Sequence, residues 1–448
     1  MNPIDPAPAG GAHAIERSEV VMQRVIVRRA QLVQVAVAVL VGLAACLAGP
    51  PPAAAQGGTV YVESNNVERG ANSIFALTYG PSGSMRPLRL TEFPTSGTGS
   101  PDVLSGPPLG ILDADQQVVM NPERTLLFAV NQGSDTIAVF RIGGGGDLTP
   151  VPGSPFPSGG KAPASLGLRG DVLVVVNKSL DGQREEVADV APVYTSFRVR
   201  ADGGLDRIGN STVPLAKGSN PTQALIAPSG NLIFDALFGG RKLNSFRLDD
   251  SGKLKQGPNT PRAFDPSVYA GAKAPPGLGP DVLQIPLGMA VHPKQKLFYV
   301  NAVAVPKLAV YSYREDGSIQ FVNAVDNKGA GLPCWTIINR DGTRLYTSNT
   351  YTDTVSVYDI TQPREPRQIQ SVQLKRAGTP AELAFDPSQR FLFLLTPRNN
   401  AVVPPGEGNS LHTLQVGPDG RLKELATSPV PLPVFLGTSP QGIAVRGD

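Results

Sequence analysis

The chain has 448 residues, 41% of them hydrophobic, with 40 basic and 37 acidic side chains and a formal net charge of +3. That apolar content can bury a large core and excludes a disordered chain, while so small a charge excludes an electrostatic footprint for nucleic acid or anionic lipid. Glycine (49) and proline (44) are abundant, yet they punctuate apolar segments and form no continuous tract, so the composition is that of a turn-rich β protein.

Near the start, Arg24, Arg28 and Arg29 precede an apolar run over residues 32–48, and the stretch ends Ala53-Ala54-Ala55-Gln56. Positive flank, apolar segment and small-residue site read as a signal peptide over residues 1–55, cleaved after Ala55. Met22 is a second candidate start, which would make residues 1–21 an extension that a signal does not need. The run is short for a membrane span. Leu43-Ala44-Ala45-Cys46 also has the pattern of a bacterial lipoprotein box, in which the Cys46 thiol would carry a diacylglycerol anchor; this alternative is the one membrane attachment expected. Either processing places residues 56–448 outside the cytoplasm, periplasmic or secreted. With residues 1–55 removed, 36 basic and 34 acidic groups remain and Cys334 is the single cysteine, so no intrachain disulfide is expected.

From residue 59 onward an apolar, aromatic-rich segment recurs at residues 61–62, 127–131, 174–177, 232–234, 297–301, 345–349 and 391–394. The fifth copy shows the unit most clearly. A short strand over residues 286–291 is followed by the turn His292-Pro293-Lys294-Gln295, the apolar strand, a third strand over residues 308–313, and the hairpin signal Glu315-Asp316-Gly317-Ser318. Alternating β-branched and aromatic residues between turn residues are what four-stranded antiparallel sheets require. Units of about 45 to 65 residues that cannot bury themselves alone must stack into one body. The reading is an all-β fold: a single seven-bladed β-propeller over residues 56–448.

The ends sharpen this. Residues 439–445 look like the first strand of a repeat whose remainder is missing, and residues 59–62 like a second strand with no first. Pairing them closes the ring through the N- and C-terminal strands. Insertions are expected near 180–191 and 258–281, in loops that can carry binding specificity or simply cover the surface.

Candidate chemistry lies on the innermost strands, where Asp113, Asp115, Gln116, Ser165, Thr222, Gln223, Met289, Trp335, Glu382 and Gln441 converge on a central channel. Of the histidines after residue 55, His292 occupies the turn position filled by Asn121 or Asp386 in sibling repeats, and His412 lies in an outer strand, so neither is placed as a catalytic base. No cofactor and no metal are expected. Covalent haem would need a Cys-x-x-Cys-His run, a quinone-type propeller would need repeated tryptophans where this chain has one, and the glycine run 143–146 is a hairpin with no phosphate-binding lysine after it.

The stretch Gly378-Thr379-Pro380-Ala381-Glu382-Leu383-Ala384-Phe385-Asp386-Pro387-Ser388-Gln389-Arg390-Phe391-Leu392-Phe393 resembles the seven-bladed lactonase-type propellers, which include bacterial 6-phosphogluconolactonases and fungal muconate-cycloisomerase relatives. The resemblance covers most of residues 59–448 as blade pattern. It implies that Glu382 stands at a functional carboxylate and Arg398 at a functional arginine. Catalytic members carry Gly-Pro-Arg-His on the preceding inner strand, whereas this chain has Gly331-Leu332-Pro333-Cys334-Trp335, a version similar to that of secreted relatives without an assigned reaction.

Two functions are therefore expected as alternatives. In the first, the chain hydrolyses a small or sugar-type lactone, with Glu382 as base, Arg398 as oxyanion or carboxylate clamp, and Trp335, Cys334, Gln223 and Gln441 lining the binding site. Cys334 as nucleophile has no evident histidine partner. In the second, it is a non-catalytic extracytoplasmic scaffold that binds a protein or glycan over one face. A monomer is expected in either case.

Overall fold

A computed structural model describes residues 57–100, 114–182, 184–274, 279–375, 378–397, 408–434 and 438–448. The expected signal segment with Cys46, and also Asp113 and Arg398, lie outside the described residues. Among those described, seven antiparallel sheets follow one another along the chain. Each runs from an innermost strand outward, and each innermost strand follows the outer part of the blade before it.

Blade 1 is built from both ends, with Gln441–Gly447 innermost, then Gly58–Glu63, Ser73–Tyr79 and Leu90–Pro94. The inner strands of blades 2 to 7 are Val118–Met120, Pro163–Arg169, Leu225–Ile226, Pro286–Val291, Pro333–Ile338 and Leu383–Phe385. Their second strands, Leu126–Asn131, Val172–Asn177, Leu232–Leu237, Leu297–Ala302, Arg344–Asn349 and Phe391–Thr396, contain the repeated apolar segments of the sequence. Those segments are continuous runs, not alternating ones, because a blade is covered on both faces by its neighbours. All six residues of Leu126–Asn131, Val172–Asn177 and Phe391–Thr396 are buried.

Apolar clusters fill every gap between neighbouring blades. Phe234, Phe298 and Tyr311 stack between blades 4 and 5, with centroids 4.8 Å and 5.4 Å apart. Phe75, Tyr79 and Phe393 join blades 7 and 1, and comparable clusters join the other five pairs. The core is thus a ring of inter-blade layers and not one central mass. Backbones of adjacent inner strands come close enough that glycine is required at two places. A Cβ on Gly288 (φ +56°) would lie 1.6 Å from the Cys334 carbonyl oxygen, and one on Gly442 (φ +68°) would lie 2.9 Å from Cβ of Gln117 and the Val118 nitrogen.

Because strands alternate in direction, links between second and third strands and links between blades share one end of the channel, the loop face; the tight turns between first and second strands share the other, the turn face. The described residues of 180–191 and 258–281 lie in loop-face links and are anchored to the blades. In residues 180–191, Val187 is buried and Arg184 bonds Asp181 and Asp135 at 2.8 and 3.0 Å. In residues 258–281, Phe264 and Val268 join the blade 4 to 5 core, and the Tyr311 hydroxyl accepts the Asp265 amide.

Ring closure rests on a register that runs from Gly58↔Gly447 to Val62↔Ile443, then a bulge, then Glu63↔Gln441. Without residues 440–448, Gly58–Glu63 becomes an exposed edge and the layers on either side of blade 1 lose their inner wall. A chain ending at Ser439 is expected to lose cooperative thermal unfolding; a melting temperature equal to that of the full chain would contradict this.

Candidate functional site

At one level of the channel, each inner strand or the segment just before it carries an equivalent residue: Gln117, Ser165, Gln223, Gly288, Trp335, Glu382 and Gly442. Several of these serve the ring itself. Ser165 Oγ accepts the Ala224 amide of the next blade at 3.1 Å, and Gln223 Oε1 accepts the Met289 amide at 2.8 Å. A polar side chain at this level substitutes for the hydrogen bond that an inner-strand amide would otherwise make with water.

Glu382 occupies the corresponding position in blade 7 and faces the Gly442 amide of blade 1. It is fully buried, and among the described residues neither carboxylate oxygen has a hydrogen-bond partner at ordinary distance. Burial pushes its pKa up to about 8, the Asp115 charge adds to the rise, and the Gly442 amide and Gln117 side chain offset part of it. Trp335 is 1% exposed. It packs with Leu287, Val303, Cys334 and Ala381 in a cluster at the loop-face end of the inner strands of blades 5 to 7. Cys334 is equally buried and accepts a hydrogen bond from Thr350 Oγ1 at 2.8 Å. Burial pushes its thiol up to about 12, so it is neutral at physiological pH. Gln441 is 1% exposed, with neither amide atom partnered.

A cavity of about 710 Å³ occupies the channel and opens on the turn face. Asp115, Gln116 and Gln223 lie at its inner end, and Arg124 and Arg340 stand at its mouth. Met289, Leu225, Leu383 and Ile443 contribute to the wall between. Of the expected binding residues, Gln223 lines this cavity. Glu382, Trp335, Cys334 and Gln441 do not: next to them, Leu383, Thr336 and Ile443 do.

Asp115 is the carboxylate that faces the cavity. It precedes the inner strand of blade 2, its Oδ1 accepts the Gln116 amide at 2.8 Å, and its Oδ2 accepts Gln223 Nε2 at 3.2 Å. Surrounded by protein yet bordering the cavity, its carboxyl is pushed by burial up to about 6, against the lowering effect of those two bonds. Gln223 is itself held by blade 4, where Asp235 Oδ1 accepts the Thr222 and Gln223 amides at 2.9 and 3.1 Å. Burial pushes Asp235 up to about 7.

The two histidines among the described residues, His292 and His412, are structural. His292 Nδ1 accepts the Lys294 and Gln295 amides at 3.1 and 3.0 Å, as the Asn121 side chain does for Thr125 and Leu126, and its Nε2 lies 3.1 Å from the Gly342 carbonyl. Burial lowers its pKa. With Nε2 protonated, the neutral ring satisfies both contacts. His412, expected in an outer strand, sits in the third strand of blade 7, fully buried, with Nδ1 2.8 Å from Glu424 Oε1. Among the described residues no group of three His, Cys, Asp or Glu side chains is placed to hold a metal.

Sequence reasoning placed Asp115 in the channel without singling it out, and it missed Glu63. The sequence holds a signal for Glu63: it stands at the end of the second strand of blade 1, where blades 2, 3 and 6 end in Asn131, Asn177 and Asn349 and blade 5 carries Asn301 one residue before its end.

Residues 286–404 match the family model described as lactonase, 7-bladed beta-propeller. No curated protein matches the chain. Among solved structures, the periplasmic gluconolactonase of Pseudomonas aeruginosa is 16% identical with a TM-score of 0.61, over 87% of this chain and 99% of that one. A protein from Bacteroides fragilis provisionally named a 6-phosphogluconolactonase is 14% identical with a TM-score of 0.60, over 89% and 100%. Its Bacteroides uniformis counterpart is 13% identical with a TM-score of 0.61, over 87% and 99%. The chain is a seven-bladed β-propeller, and its likeness to the lactonase family model lies in residues 286–404.

Burial and a neutral thiol make Cys334 unreactive in the fold. Iodoacetamide is expected to leave it unmodified in the native protein and to label it after denaturation, as peptide mass mapping would read. Native labelling at a rate near that of a free thiol would place Cys334 at an accessible surface instead.

Proposed function

We propose that the protein hydrolyses a small lactone inside the central channel, with Asp115 as the general base. The observation that carries this reading is a carboxylate with a pKa near 6, bordering a cavity of about 710 Å³ and held in position by Gln223. At neutral pH Asp115 is ionised, yet it is basic enough to take a proton from water as that water attacks the lactone carbonyl. The Gln116 side-chain amide, in the same wall, supplies a donor for the oxygen on which negative charge develops. Collapse of the tetrahedral intermediate breaks the ring C–O bond, and the alkoxide leaving group recovers the proton from Asp115. One water is added across the ester, giving a hydroxy acid. Glu382, expected as the base, is assigned no proton transfer here because it does not border the cavity. Arg398 takes no part in the argument.

The alternative, a non-catalytic scaffold, is favoured by the cluster around Trp335, which fills with apolar packing the strand where catalytic relatives carry arginine and histidine. A panel of aliphatic and sugar lactones assayed with wild type and Asp115→Asn separates the two. The hydrolase reading expects turnover that falls about 100-fold or more in the variant. It also expects a wild-type rate that rises with pH through about 6, since only the ionised form of Asp115 is the base. Absence of turnover on every lactone supports the scaffold.

The reading includes export. The basic flank, the apolar run and Ala53-Ala54-Ala55 support a signal segment, with Cys46 as the alternative anchor site. Mass spectrometry of the mature protein is expected to find Gln56 at the N-terminus. A lipidated Cys46 terminus would establish the anchored form, and a retained Met1 or Met22 would count against export.

A further inference from the structure

Glu63 and Glu382 are the fully buried carboxylates that the hydrolytic reading leaves unused at the loop-face end of the channel. Neither has a salt bridge among the described residues. Among the described residues, Glu63 Oε1 accepts Asn72 Nδ2 at 2.5 Å but its Oε2 has no partner, and Glu382, which faces the Gly442 amide and the Gln117 side chain, makes no hydrogen bond of ordinary length through either oxygen. Gln441, 1% exposed, adds an unpartnered amide oxygen. The pairing of the terminal strands brings these groups together, and the interaction of their charges agrees with it. Glu63 and Gln441 are direct cross-strand partners where the terminal strands pair. Glu382 faces the amide of Gly442, the residue after Gln441, and its charge acts on Glu63.

A buried carboxylate without a cationic partner is costly, and two side by side are more so. Blades 2, 3, 5 and 6 carry neutral asparagine at the equivalent position of the second strand, and Asn301 Nδ2, for example, donates to the Cys334 carbonyl and to Thr336 Oγ1. Blade 1 instead presents a carboxylate, next to another from blade 7. The unused valences are oxygens, with two negative charges among them, which is the donor set and charge that suit calcium.

We propose that Glu63, Glu382 and Gln441 form a calcium site at the loop-face end of the channel, where the two chain ends close the ring. The ion neutralises both carboxylates and ties blade 7 to blade 1, and water or backbone carbonyls complete its shell. None of the three residues lines the turn-face cavity, although Glu382 feels the Asp115 charge through its wall, so the site's existence does not depend on the hydrolase reading; it departs from the sequence expectation of no metal.

The test uses the full chain, dialysed against chelator and then titrated with calcium chloride, followed by calorimetry and thermal unfolding. One ion per chain and a melting midpoint several degrees higher at saturation are expected. Glu63→Gln and Glu382→Gln preserve shape while removing charge; each is expected to weaken binding about tenfold or more and to remove the calcium-dependent rise. If either variant fails to fold, Gln441→Met provides the same reading. Glu424→Gln, altering the carboxylate beside His412, is the control that leaves calcium binding unchanged. No uptake of calcium at millimolar concentration, or uptake unchanged in the channel variants, would overturn the site. In that case the two carboxyls are held in the fold as neutral acids.

Discussion

The antiparallel pairing of Gly58–Glu63 with Gln441–Gly447 is the constraint on which the rest of the propeller depends. Each blade buries its faces against two neighbours, so a missing inner strand disturbs two inter-blade layers as well as its own sheet. The clusters containing Tyr61 and Ala444 on one side of blade 1, and Phe75, Phe393 and Val445 on the other, draw on both ends of the chain. Ring closure is therefore the contact of longest sequence separation, and it connects layers that are otherwise built from neighbours in sequence. Such a contact forms against the largest loop-closure cost in the fold.

The same geometry governs the channel. Inner strands converge, so their backbones approach closely at Gly288 and Gly442, and polar side chains at that level bond across to the next blade. Much of what looks like a polar, site-like lining is thereby committed to the ring. What distinguishes Asp115 is that it precedes its strand and projects into the cavity, with Gln223 reaching it from blade 4. What distinguishes Glu63 and Glu382 is the reverse: they are enclosed with oxygens to spare.

The loop face and the turn face are chemically different as a result. At the loop face, Trp335 and its apolar neighbours pack against Leu287 and Val303, while the loops of blades 3 and 4 are anchored by Arg184 and by Phe264. At the turn face, the cavity reaches solvent between the short turns of blades 2, 5, 6 and 7. Turns such as Asn121-Pro122, His292-Pro293 and Asp386-Pro387 satisfy their own backbone amides, which leaves that rim compact and the mouth open.

By itself, the sequence determined the seven blades, the closure through both termini and the turn role of His292. These follow from local periodicity and turn chemistry, which act over a few residues and are written in each repeat. It also placed Gln223 and Asp115 in the channel. Tertiary structure alone decided that Gln223 borders the cavity while Trp335, Cys334, Glu382 and Gln441 are sealed behind its wall, and that Glu63 meets Gln441 and Glu382. Whether an inner-strand side chain faces solvent, a neighbouring blade or another carboxylate is set by strand convergence, a bulge at Glu63 and residues hundreds of positions away. No local pattern carries that information.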